Sequence, residues 1–172
     1  MMDEKGMFSL VPQALEQLPH GVFLTVGGER WNPMTIGWAQ FGVIWGKPIV
    51  NVLVRRSRYT HSLLEQTDVF TISVPKAGGL ADELAYCGSH SGRNADKRAE
   101  TGLTPLPARA GGADGVAGCG CYFECRVVEK LFEDHSELEK TLHARYYGAN
   151  QITPDGDPHD VYFGELLAAY PG

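Results

Sequence analysis

The sequence predicts a mainly β protein, a closed or nearly closed antiparallel barrel with short helical insertions. First, β-branched and aromatic runs bounded by turn residues recur along the chain: VFLTV from Val22, IVNVLV from Ile49, VFTISV from Val69, Cys119 to Leu131, and HDVYFGELLAAY from His159. Second, these runs do not alternate with long regular helices, as βαβ units would. Third, closing an antiparallel sheet on itself removes the unpaired edges that so many strands would expose.

Each element has its own local reason. VPQALEQLP reads as a short helix or turn ended by Pro19 and His20-Gly21, and Val22 to Val26 is a strand followed by a Gly-Gly-Glu turn. WNPMTIGWAQFGVIW continues with Met34, Ile36 and Trp38 on one side and Thr35 opposite. Its glycines at 37, 42 and 46 point to bulges or close backbone approach. Pro48 is tolerable at the start of the strand Ile49 to Val54, where only Asn51 is polar. RRSRYTHSLLEQTD is a turn and then a short helix, capped by Ser57 or Thr60, with Leu63 and Leu64 on its apolar side. Val69 to Val74 is the next strand.

After Pro75, GGLADELAYCG is a second short helix, with Leu80, Leu84 and Cys87 near helical spacing. NADKRAETG is a third, started by Asn94 and stopped by Gly102, and TPLPARAGGADGVAG is a loop. Cys119 to Leu131 is a long, curved strand, HSELEKTLHARYY is helical, and the last strand carries Val161, Phe163 and Glu165 on one side.

The chain of 172 residues fits a single domain, 1–172, with no internal repeat. Its net charge of -6 argues against broad attraction to nucleic acid or anionic lipid, so neither is an expected partner. The start, MMDEKGMFSL, does not read as a secretory signal, and no window approaches the roughly 18 apolar residues of a membrane span. A cytoplasmic location is the expectation. Of the four cysteines, Cys119, Cys121 and Cys125 would share one strand face with Phe123 and Val127. Without a C-x-x-C pair, that face reads as buried thiols rather than a metal or iron–sulfur site.

Three clusters carry candidate chemistry. Asn32, Met34 and Thr35, leading into Trp38, offer polar groups beside apolar ones for a ligand's carbonyls or ring nitrogens. An Asx-type turn opening a strand explains the same residues. Arg55, Ser57, Arg58, Tyr59 and Thr60 lie between a strand and a helix, where N–H groups, hydroxyls and guanidiniums converge on a phosphate or form a basic surface turn. Ser89, Ser91, Gly92 and Arg93 precede the third helix and Lys97 lies within it, repeating that logic; a capped surface turn is the alternative. There is no G-x-x-x-x-G-K-[ST], no G-x-G-x-x-G, no nucleophile elbow and no H-E-x-x-H, so no catalytic residue and no metal ligand is assigned.

In order and spacing, these clusters resemble the flavin reductase-like, FMN-binding split β-barrel family, and within it the flavoredoxin-type branch. The matching segments are PHGVFLTVG, NPMTIGWAQFGVIWGKPIVNVLVRRSRYTHSLLEQTDVFTISV, LAYCGSHSGRNADKRAETGLTPL and HDVYFGELLAAY. The resemblance implies a Greek-key antiparallel split barrel and a homodimer with one non-covalent FMN per subunit near the interface. It places Asn32, Met34 and Thr35 along the isoalloxazine, with Trp38 nearby. Arg55, Ser57, Arg58, Tyr59 and Thr60 approach the ribityl-phosphate, and Ser89, Ser91, Gly92, Arg93 and Lys97 complete those contacts. His159 matches a position that reaches the flavin from the partner subunit. The implied activity is an FMN-dependent oxidoreductase taking electrons from NADH or NADPH to flavin, iron, oxygen or a redox protein. An FMN-binding electron carrier without nicotinamide turnover is the alternative, and related barrels hold haem or a deazaflavin. GGADGVAGCGCYFEC is richer in glycine and cysteine than the family pattern, so the expected difference is local, around the substrate entrance.

Overall fold

The computed structural model describes residues 4–27, 30–149 and 156–172. Its antiparallel sheet contains β1 (Val22–Val26), β2 (Asn32–Ile36), β3 (Ala39–Ile44), β4 (Lys47–Arg55), β5 (Val69–Val74), β8 (Cys121–Leu131) and β9 (His159–Pro171), in the order β2-β1-β5-β8-β9-β4-β3. A short ladder of β6 (Pro105–Leu106) and β7 (Gly115–Val116) stands apart from it.

The two edge strands, β2 and β3, follow each other in the chain, joined by Gly37 and Trp38. Met34 and Ile36 from one end of the sheet meet Val50, Val52 and Val54 from the other in a single buried cluster with Phe70, Ile72, Phe123 and Tyr162. The sheet therefore curls around one core, while β2 and β3 pair with no strand across the seam. This is a split β-barrel, as the sequence predicts.

Both faces of the sheet's centre are covered, which is why all five residues of β1 are buried. Phe23, Tyr122 and Tyr170 turn outward into a second cluster with Leu84 and Cys87 of α4 (Ala81–Ser89), Leu103 and Val116. The other helices are α1 (Glu4–Phe8), α2 (Val11–Gln17) with a 3-10 turn at Leu18–His20, α3 (Tyr59–Leu64), α5 (Lys97–Thr101) and α6 (Lys140–Tyr146).

Several local expectations need correction. The cap of α3 is Arg58, without a side-chain bond, because Ser57 faces Asp157 and Thr60 faces Asn32. α5 starts three residues later than its sequence suggests: Asp96 accepts from the N–H groups of Arg98 and Ala99, and Gly102 at φ 72° ends it. Residues 91–95 form a turn instead, closed by the Asn94 and Ala95 N–H groups on the Ser91 carbonyl. Trp38 does not share a strand face with Met34 and Ile36; it lies in the β2–β3 link and is 39% exposed. Of the three glycines, Gly46 joins Trp45 in the β3–β4 turn, both at positive φ as tight hairpins require, whereas Gly42 keeps regular register in open space. The Gly-Gly-Glu turn lies partly outside the described residues.

All four cysteines are buried free thiols. Cys121 and Cys125 face the barrel core, but Cys119 precedes β8 and belongs to the outer cluster. Burial pushes Cys119 and Cys121 up to about 12.

The glycine-rich loop is held by one carboxylate. Glu124, fully buried on β8, accepts from the N–H groups of Arg109 (2.6 Å), Ala110 (2.7 Å) and Gly112 (3.0 Å) and from the Tyr170 hydroxyl (2.8 Å). Burial alone would raise its pKa, but these four donors together hold it below the usual carboxylate value.

Candidate functional site

The split in the barrel brings the three sequence clusters together. β2 supplies Asn32 and Met34; the turn after β4 and the first turn of α3 supply Ser57, Arg58, Tyr59 and Thr60. The chain leaving α4 supplies Ser89, Ser91 and Gly92, and the start of α5 supplies Lys97; with His90 they line one cleft of about 120 Å³. Segments far apart in sequence meet because β2 forms an edge of the sheet, with α4 packed against it.

Two cations line this cleft, Lys97 buried and Arg58 half-buried, and neither bonds a carboxylate among the described residues. Lys97 is 5% exposed, and its Nζ donates to the carbonyls of Pro33 (2.7 Å) and Cys87 (3.4 Å). Arg58 donates through Nε to the Met34 sulfur at 3.4 Å and through its terminal nitrogen to the Gly88 carbonyl. Burial lowers the Lys97 pKa to about 8, with Cys87 opposing and Arg58 adding to the fall. Arg58 is lowered by burial too, against the opposing field of Asp157. Among the described residues no Asp or Glu lines the cleft.

The same lining leaves no room for a side chain at residue 92. A Cβ on Gly92 would stand 2.0 Å from Asn32 Oδ1 and 3.1 Å from the Tyr59 ring, so the backbone passes where only glycine fits. Asn32 Nδ2 donates to the Thr60 hydroxyl at 3.1 Å, and its Oδ1 is buried without a hydrogen-bond partner among the described residues.

Arg93 is not in the cleft lining. Its guanidinium braces the wall from behind, donating to the Ser57 carbonyl (3.2 Å) and the Ser62 hydroxyl (3.4 Å), and lies 5.2 Å over the Tyr59 ring. Ser89 donates its hydroxyl to the Ala85 carbonyl at 2.8 Å, and Ser91 Oγ accepts from the Arg93 N–H at 3.3 Å.

A second cavity, about 290 Å³, adjoins the first across Met34 and Arg58 and is lined also by Thr35, Trp38, Arg55 and His159. The Thr35 hydroxyl donates to the Leu84 carbonyl at 2.6 Å. Arg55 turns toward the loop before β9: its guanidinium donates to the carbonyls of Asp157 and Tyr146 and lies 5.6 Å over the Tyr147 ring. His159 lies 4.9 Å from the Trp38 ring, and its Nδ1 hydrogen-bonds the Tyr147 hydroxyl at 2.9 Å. Burial lowers the His159 pKa to about 4, and the Arg55 and His135 charges add to the fall. His159 is a neutral imidazole near pH 7.

Every residue named from the sequence therefore lies in or against these two cavities. Sequence reasoning missed Asp157, Tyr147 and Gly88. Asp157 accepts from the Ser57 N–H and hydroxyl, Tyr147 holds His159, and the Gly88 carbonyl holds Arg58. No local pattern announces them, since each acts on a residue 12 to 100 positions away. Among the described residues no group of three His, Cys, Asp or Glu is placed to hold a metal ion, and no helix is long and apolar enough to cross a membrane.

The family model described as flavin reductase like domain matches residues 15–170. An uncharacterized protein from Archaeoglobus fulgidus is 32% identical over 168 residues, covering 95% of this chain and 92% of its own. The flavoredoxin structure from Methanosarcina acetivorans superposes with a TM-score of 0.67 at 24% identity, over 88% of this chain and 68% of that one. The NADH:FAD oxidoreductase SgcE6 of Streptomyces globisporus C-1027 gives 0.66 at 18% identity, over 100% of this chain and 87% of that one. At those identities the two structures speak for the shared fold.

Proposed function

Because the chain belongs to the flavin reductase-like domain family, we propose that it binds FMN and works as an FMN-dependent oxidoreductase, with NADH or NADPH as electron donor. The observation carrying this reading is the buried Lys97 and the half-buried Arg58, lining a cleft with no carboxylate among the described residues. Lys97 is held by carbonyls, and Arg58 by a carbonyl and a thioether sulfur, so both are poorly compensated and a phosphate dianion would supply the missing charge. The donor set fits: hydroxyls of Ser91 and Tyr59 beside two cations, with a glycine where the backbone must come close.

Bound FMN would supply hydride acceptance and one- or two-electron donation. The chain's own residues bind and orient. Arg58, Lys97, Ser91 and Tyr59 take the phosphate end, with Ser57, Thr60, Ser89 and Gly92 shaping the cleft and Arg93 bracing it. Met34, Thr35 and Trp38 serve the ring end, together with Arg55, which lies here and not at the phosphate, and His159 of the same chain, while Asn32 lines the phosphate cleft. Among the described residues Asn32 Oδ1 is an unused acceptor, and His159, kept neutral, adds no charge at the ring end. A homodimer is part of this reading; light scattering that finds a monomer with FMN tightly bound would count against it.

One observation favours the carrier alternative. A cleft of about 720 Å³ beside Thr35 and Gly88 has, among the described residues, no Lys or Arg in its lining to meet a dinucleotide's phosphates. Anaerobic mixing decides between the two. Rapid bleaching of the bound flavin by NADH or NADPH supports the reductase; a flavin that stays yellow until a reduced partner is added supports the carrier.

A further inference from the structure

That wider cleft lies on the other side of Thr35 and Gly88 from the cation cluster. Three elements build it: Gln13, Glu16 and Gln17 of α2; the chain through Pro75 and Gly78; and the Ala81, Leu84 and Ala85 face of α4. Its chemistry is the inverse of the cluster's. Among the described residues Glu16 is the one carboxylate in the lining, and no Lys or Arg joins it. Lys76, next to Pro75, runs its chain beside Gly120 and is not part of the lining.

The polar groups present are largely committed within the fold. Gln17 Nε2 donates to the Gly21 carbonyl at 3.2 Å, and the Thr35 hydroxyl to the Leu84 carbonyl at 2.6 Å. Ser89 gives its hydroxyl to the Ala85 carbonyl, and apart from Gln13 and the exposed His20 the rest is alanine, leucine, proline and glycine surface. A phosphate or carboxylate entering here would lose water, meet no Lys or Arg among the described residues and face Glu16. An uncharged apolar body loses little and gains the burial of its surface. The volume lies within the range of clefts that hold small ligands.

The cleft and the cofactor cavity share a thin wall. Thr35 and Gly88 line both, and a Cβ on Gly88 would meet Thr35 Cβ at 3.4 Å, so the two residues pack in direct contact there.

We propose that this cleft binds a small, uncharged, largely apolar molecule and discriminates against anions, with Thr35 and Gly88 as the wall where that molecule meets the cofactor site. The second clause rests on the FMN reading; the first stands without it.

The test uses the cofactor-free protein, with benzyl alcohol and benzoate as size-matched probes and amide NMR shifts as readout. Benzyl alcohol is expected to move the amides from Ala77 to Leu84 and that of Gly88, with benzoate weaker by about threefold or more, as a half-solvated charge allows. Glu16→Lys should bring benzoate level with the alcohol or past it. Ala81→Trp, at an exposed helix start, should weaken the alcohol about tenfold by filling the cleft, with FMN titration unchanged. Benzoate binding as tightly as the alcohol to the natural sequence, shifts outside the cleft, or full binding by Ala81→Trp would each overturn the proposal. A protein that takes the alcohol in the cleft but no FMN keeps this inference and loses the cofactor reading; the reverse result does the opposite.

Discussion

Ser57 gives both its backbone N–H (3.1 Å) and its hydroxyl (2.6 Å) to one carboxylate, that of Asp157. These are donors of the kind that the phosphate reading assigns to an anion at the start of α3, and Asp157 already holds them. The same carboxylate raises the pKa of Arg58 against the effect of burial, so it also reaches the cleft electrostatically.

On the proposed reading, Asp157 competes with the cofactor's phosphate. Asp157→Ala is expected to tighten FMN binding by roughly three- to tenfold, since it frees two donors and removes one like charge. Fluorescence-quenching titration of apo-protein measures this, and weaker binding would show that the carboxylate serves only to hold Ser57 in place.

Arg58 and Arg93 should separate in the same titration. Arg58 lines the cleft, so Arg58→Ala is expected to cost FMN affinity about tenfold or more. Arg93 works through Ser57, Ser62 and Tyr59, so Arg93→Ala should cost about two- to threefold. Equal losses would mean that Arg93 turns into the cleft when FMN binds.

Lys97 sets binding against stability. Its pKa in the fold, about 8, lies below the ordinary lysine value of 10.5, so the unfolded chain binds the extra proton between these values. The stability of the cofactor-free protein should therefore rise through that window, and at neutral pH the buried charge costs on the order of 3 kcal/mol. Lys97→Met should leave the melting temperature level or higher, flatten its rise above pH 8, and weaken FMN binding about tenfold or more. Unchanged FMN affinity would remove Lys97 from the phosphate site.

His159 predicts the opposite flank of the pH profile. Its pKa is about 4 in the fold against 6.5 ordinarily, so the unfolded chain takes up a proton first as pH falls. Stability should fall from pH 6.5 toward 4, and His159→Gln should flatten that slope in thermal melts. A slope unchanged in the variant would place the acid sensitivity elsewhere.

Glu124 is the clearest structural test. Glu124→Gln leaves N–H donors of the 109–112 backbone facing an amide that cannot accept from all of them, and should cost about 2–4 kcal/mol by denaturant unfolding. The carboxylate's contribution is present above its unfolded pKa and fades as pH drops through its lowered folded value, so the gap between variant and parent should narrow in acid. A loss of FMN affinity without a loss of stability would instead tie this loop to the site.

Strand identity was legible because it depends on neighbours in sequence. Val22–Val26 and Val69–Val74 appear in the fold with the same bounds that their β-branched runs suggest. The start of α5 was not, because Asn94 and Asp96 are equally good caps on paper, and the turn closed on Ser91 leaves Asp96 as the one that caps. Trp38 was misplaced for a related reason: alternation continues through it on paper, but the chain leaves the sheet at Ile36 to cross the seam.

By itself the sequence determined the strand runs, the barrel they close into and the residue types gathered in three clusters, since hydrophobic period and turn chemistry are local. Only the tertiary structure decided how those residues are used. The curl of the sheet puts β2 beside the turn after β4, and packing of α4 and α5 then buries Lys97 against carbonyls and leaves Asn32 Oδ1 without a partner among the described residues. It also gave Ser57 to Asp157, kept Arg93 out of the cleft lining, and set a cleft with no Lys or Arg among the described residues beside the cation cluster at Thr35 and Gly88. Burial and partnership are sums over residues distant in the chain, and a linear pattern does not contain those sums.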